Sequence, residues 1–135
     1  MIDNVYAGIK TRYDSTPGAT LKALVTGGLW QGQAPDGVAY PYIEMHSITD
    51  IPDDTYNADI EFIRIQFSIW HNVMNTHATG GMKSIYEAFR ALYDQATLTV
   101  TGWTNFSTRW VANHEMPIEN KIIGRALDYE IHIQE

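Results

Sequence analysis

The sequence predicts an α+β fold: a mainly antiparallel sheet with two helices packed on one face, in a single domain spanning residues 1–135. Three observations predict it. "EFIRIQFSIW", Glu61 to Trp70, sets Ile63, Ile65, Phe67 and Ile69 on one face and Arg64, Gln66 and Ser68 on the other, the alternation of a half-buried strand. Met82, Ile85, Tyr86, Phe89, Leu92 and Tyr93 recur at the spacing of one helix face. The acidic, proline-broken loop Asp50 to Asn57 joins two strand-like runs closely enough to make them an antiparallel hairpin.

The elements follow in order. Ile2, Val5, Tyr6, Ile9 and Tyr13 mark a first helix over 3–14, with Asp3 where a carboxylate suits the helix dipole. Ser15-Thr16-Pro17-Gly18 ends it, because proline disfavours helix in the residue before it. Thr20 to Val25 allows a short helical turn closed by Gly27 and Gly28, Leu29 to Gln33 a short strand, and "APDG" a turn. Tyr40 to Ile48 and Glu61 to Trp70 form the long hairpin, and the major helix runs over 79–95. Leu98 to Val100, Asn105 to Ala112 and Ile122 to Gln134 complete the strands. Ile65, Phe67, Phe89, Tyr129 and Ile131 each lie on the apolar stripe of their own element and are the expected core. Gln66, on the opposite face, is expected to carry little weight.

Composition narrows the function classes. Hydrophobic residues at 44% and charged residues at 19% are those of a folded globular chain, not a disordered one. Without cysteine there is no disulfide, thiolate zinc site or thiol nucleophile. Nine basic residues against sixteen acidic ones give a charge of -7, and the cations are scattered, which disfavours tight phosphate-backbone binding. No basic-then-apolar leader and no apolar run near ~18 residues is present, so a soluble, unexported protein with no membrane partner is expected.

The search for chemistry leaves little. In "THATGGMKS" Met82 separates Gly81 from Lys83, so the phosphate-loop pattern fails. A calcium-loop template begun at Asp50 meets Pro52 at a ligand position and Thr55 where glycine is needed. His46, His71, His77, His114 and His132 lack zinc spacing, and His114 and Glu115, as neighbours on a strand, point to opposite faces. No catalytic residue, metal ligand or cofactor is expected. The aromatics stand out instead. Trp30, Trp70, Trp103 and Trp110 with eight tyrosines exceed what the core faces absorb, and Tyr42 and Trp70 fall opposite the apolar stripes of their strands. Aromatic residues are enriched at interface cores.

"PYIEM", "DDT", "IRIQFSIW", "SIYEAFRALYDQATLTVTGW" and "RALDYEIHI", in that order from Trp30 to Ile133, resemble the tail-completion proteins of long-tailed bacteriophages, the tail terminators or tail-to-head joining proteins. The N-terminal "RYDSTPGATLKALVTGG" departs from that pattern. The resemblance implies a non-enzymatic virion protein, assembled in the host cytoplasm as a homo-hexameric ring. Its partners would be copies of itself, the tail tube protein and the head connector protein, with DNA only passing through.

On that reading Asp53, Asp54 and Tyr56 of the acidic loop and Met116 and Ile118 of a hydrophobic tip are the expected subunit contacts. Glu44, Asp128 and Glu130, on polar strand faces, are the expected acidic lining of the lumen. Two alternatives stand beside it: another head-tail connector or tail-tube subunit, and a small enzyme or ligand-binding α+β domain, since fold does not set function. A deep pocket gathering two or more histidines with Asp or Glu would favour the last.

Overall fold

In the computed structural model, residues 2–52, 59–72, 81–119 and 122–135 are described. The helices are α1 (Ile2–Asp14), α2 (Ala19–Leu24) and α3 (Met82–Tyr93), with a 3-10 turn at Thr16–Gly18 before α2. The strands are β1 (Leu29–Gln31), β2 (Tyr42–Pro52), β3 (Ile60–His71), β4 (Thr99–Val100), β5 (Trp103–Glu119) and β6 (Ile122–Gln134). They form one sheet in the order β1-β2-β3-β6-β5-β4. Every pairing is antiparallel except β1 with β2, which is parallel. The expectation of two helices gives way to three among the described residues, and the ring contacts that seat a helix on a sheet face belong to α3.

The core forms where the alternating strands meet α3. Phe89 of α3 lies with its ring centroid 4.7 Å from Phe67 of β3 and 5.7 Å from Tyr129 of β6. Ile65, Phe67, Phe89, Tyr129 and Ile131, the expected core, are all buried. Burying such side chains is the main stabilising term, about 1.5–3 kcal/mol for each large apolar one. At the end of α3, Asp94 accepts from the Tyr129 hydroxyl and pairs with Arg90 at 2.6 Å. Arg90 in turn lies 4.1 Å over the Trp110 ring of β5.

α1 buries Val5, Tyr6, Ile9 and Tyr13 and touches both β1 and β4, the two ends of the strand order, so the sheet curls beneath it. Arg12 donates to the Leu92 carbonyl at 2.7 Å, satisfying an acceptor in the last turn of α3. Tyr93 of α3 donates back to the Ile9 carbonyl at 2.8 Å. Ser15 closes α1 by bonding the Arg12 carbonyl at 2.5 Å.

Two strands are longer than their sequence alternation announces. β2 continues to Pro52 through a register shift between Ser47 and Thr49. β5 runs to Glu119 through three such irregularities, at Asn105/Ser107, Trp110/Ala112 and Met116/Glu119. Each extra residue is left unpaired and breaks the two-residue period, and pairing resumes beyond it.

Candidate functional site

Strand register places Tyr42, Glu44, Ser68, Trp70, Gln66, Arg64, Ala126, Asp128 and Glu130 on the sheet face opposite Phe67 and Tyr129. The segment 32–41 that connects β1 to β2 forms one wall of a groove on this face. The groove, about 960 Å³ in volume, is lined by that segment, by Tyr42, Glu44 and His46 of β2, by Ser68 and Trp70 of β3, and by Ile122. The wall is tied down at its base: Gly27 N–H donates to the Pro41 carbonyl at 2.9 Å and the Thr26 hydroxyl to the Tyr40 carbonyl at 3.1 Å. A Cβ on Gly27 would stand 1.9 Å from the Ala39 carbonyl oxygen, so only glycine lets the chain pass so close.

Glu44 organises the groove. Its Oε1 accepts the Trp70 indole N–H at 3.0 Å and its Oε2 accepts the Ala34 backbone N–H at 2.6 Å. Tyr40 and Tyr42 stand beside it with ring centroids 5.3 Å apart and planes tilted by 38°. Burial raises the Tyr42 hydroxyl pKa, and the nearby Glu44 charge raises it further.

Further along the same face is an ionic cluster. Glu130 lies 2.7 Å from His132 Nε2, accepts from Arg109 at 3.1 Å and faces Arg64 at 4.0 Å. These groups, with the His132 bond foremost and the two guanidinium charges behind it, hold the Glu130 carboxyl below its ordinary value of 4.5. Gln66 donates to Asp128 at 3.1 Å, and Asp128 is only 9% exposed. Phe62 meets the His132 ring edge-on at 4.3 Å between centroids.

The three carboxylates expected to share a polar surface, Glu44, Asp128 and Glu130, do lie on one face. They are bonded there rather than free. Glu44 is held by Trp70 and Ala34, Asp128 by Gln66, and Glu130 shares its charge with Arg64 and Arg109. The face is also less open than alternation alone suggested, since Ser68, Ala126 and Asp128 are buried on it.

Asp53, Asp54 and Tyr56 lie outside the described residues. Met116 and Ile118 fall in the last part of β5. Of the histidines, His46 lines the groove, while His71 is buried at the end of β3 with Nδ1 accepting the Asn72 N–H at 3.0 Å. His114 pairs in register with Ala126 and Glu115 with Arg125, so the two point to opposite faces, and His77 is outside the described residues. Among the described residues no group of three or more histidines and carboxylates is placed to hold a metal ion. None of the described helices is long and apolar enough to cross a membrane.

Sequence reasoning missed Tyr40 and the loop amide of Ala34, because loop placement leaves no periodic trace. The Trp70–Glu44 pairing had a signal: both fall on the polar parity of their strands, and only the register was lacking.

No family model and no curated protein matches the chain. Among solved structures, a chain from the virion of a native gene transfer agent particle shares this architecture with a TM-score of 0.76. The match spans 96% of this chain and 93% of that one at 13% identity. The likeness is one of fold.

Proposed function

We propose that this protein is a structural subunit of a phage-like virion, a ring component that caps the tail tube and joins it to the head connector, without enzymatic activity. The observation that carries the proposal is the near full-length match in fold to a virion chain of a gene transfer agent particle. The order of tail-completion-like segments along the chain points the same way, although at 13% identity the match in fold speaks only for architecture.

The sheet supplies a physical means of assembly. β1 pairs with β2 only as far as Met45, and from Ile48 to Pro52 no strand among the described residues lies on that side. β4 likewise pairs only with Trp103 and Thr104, leaving β5 from Arg109 to Glu119 without an outer strand among the described residues. The two edges lie on opposite sides of the sheet. A ring larger than a dimer needs two different, matching patches on each subunit, and a pair of opposite edges meets that need. The β2 edge carries exposed Ile48 and Ile51, 44% and 55% accessible, as its apolar content.

In such a ring Asp53, Asp54 and Tyr56, which lie in sequence between β2 and β3, and Met116 and Ile118 of β5 are the proposed subunit contacts. Glu44, Asp128 and Glu130 are proposed for the channel side. Their carboxylates are already bonded, and Arg64 and Arg109 stand among them, so passing DNA would meet a surface of mixed charge. Light scattering across a concentration range, with and without purified tail tubes, tests the proposal. Ring-sized particles in either condition support it, and a strict monomer in both contradicts it.

A further inference from the structure

We propose that the groove on the second sheet face binds an extended segment of a different protein through an arginine of that segment. The inference goes beyond ring formation and holds whichever assembly the chain joins.

The groove has the lining of a cation site, acidic and aromatic, with no cation of its own among the described residues. Tyr40, Tyr42 and Trp70 present aromatic surface to it beside the Glu44 carboxylate, and among the described residues no Lys or Arg lines it. Elsewhere three aromatic rings are covered by cations from within the chain. Lys10 and Lys22 lie over Tyr13, Arg90 over Tyr86 and Trp110, and Arg125 over Tyr86. Among the described residues no such cation covers Tyr40, Tyr42 or Trp70. Each Glu44 oxygen accepts one bond from within the chain, and a carboxylate oxygen has a second lone pair to offer. A planar guanidinium can stack on a ring while its edge reaches a carboxylate, a combination that an ammonium matches poorly.

Charge and size identify the occupant. Asp36 adds a second carboxylate at the rim, so the groove favours a positive partner. Another copy of this chain is a poor source, because all five of its arginines are engaged: Arg12 on Leu92, Arg64 and Arg109 on Glu130, Arg90 on Asp94 and Arg125 on Glu115. The volume of about 960 Å³ is far more than one guanidinium fills, and Pro35, Val38 and Ile122 offer apolar surface to the flanking residues of a polypeptide.

The test titrates ¹⁵N-labelled protein with the peptide acetyl-Gly-Ser-Arg-Ser-Gly-amide, and with the same peptide carrying neutral citrulline in place of arginine. The expected result is saturable shifts confined to Tyr42, Glu44, Trp70 and the 34–38 loop, with the citrulline peptide about tenfold weaker. Glu44→Gln keeps an acceptor for Trp70 and should weaken the arginine peptide by a similar factor of about ten. Tyr42→Leu, with its fold checked by circular dichroism, should do the same. Absence of localised shifts, or equal response to both peptides, overturns the proposal. Tetramethylammonium binding as tightly as the arginine peptide would also overturn it, in favour of a small-cation site.

Discussion

Phe67 of β3 and Phe89 of α3 meet with ring centroids 4.7 Å apart and planes inclined by 58°, and neither is more than 1% exposed. Phe89 also touches Tyr93 and Tyr129, so its ring is the point at which α3 is fastened to the sheet. Phe89→Ala should therefore cost about 3–5 kcal/mol of unfolding free energy. Urea denaturation measures it. The reference change is Lys83→Ala, whose i,i+4 contact with Glu87 is 4.0 Å long and exposed, and which should stay within about 0.5 kcal/mol of the parent. Equal losses from both would mean that α3 is not seated on this face.

Gln66 is not the inert surface residue that its place on a polar face suggests. Its amide donates to Asp128 at 3.1 Å, and Asp128 is nearly covered. Gln66→Ala leaves a covered carboxylate short of a donor and should destabilise by about 1–3 kcal/mol. The double change with Asp128→Asn should recover part of that loss. A strictly additive double mutant would show that the two side chains do not cooperate.

Glu130 gives the protein a sensitivity to acid. Its carboxyl is held below 4.5 by His132 and by the charges of Arg109 and Arg64, so the folded state binds that proton less readily than the unfolded chain does. The stabilisation is complete above the ordinary glutamate range and is lost as pH falls through the lowered folded value. Melting temperatures of the parent and of Glu130→Gln should differ most near neutral pH and converge as pH falls toward about 3. A gap that stays constant over this range would remove Glu130 as the titrating group.

Ile51 is 55% exposed on the β2 edge, where natural edges more often carry charge. Ile51→Lys should leave the monomer's thermal stability within about 0.5 kcal/mol of the parent, because little burial is lost. It should nevertheless reduce self-association sharply in sedimentation velocity. Unchanged association would move the subunit contact away from this edge.

Legibility in the sequence tracked regularity. β3, β6 and α3 were readable because an uninterrupted period of two or of helical spacing survives wherever one face packs on the core. β2 and β5 read too short because register shifts displace the alternation, and because Pro52 looks like part of a proline-broken loop. Pro52 ends β2 where no strand among the described residues lies on the outer side, a place where proline is tolerated in a sheet. The parallel pairing of Leu29–Gln31 with Ile43–Met45 left no signal, since three residues carry too little pattern to assign a direction. At the groove, Tyr42 and Trp70 were visible as aromatics on the wrong face. Glu44 was visible only as a carboxylate, because its two partners come from a loop and from a strand 26 residues away.

The most direct test of the structural-subunit account is negative-stain electron microscopy of the purified protein, alone and mixed with tail tubes from the particle that carries it. The account predicts closed rings of one diameter, free or seated on one end of the tube. Single subunits that leave both tube ends bare at every concentration would contradict it.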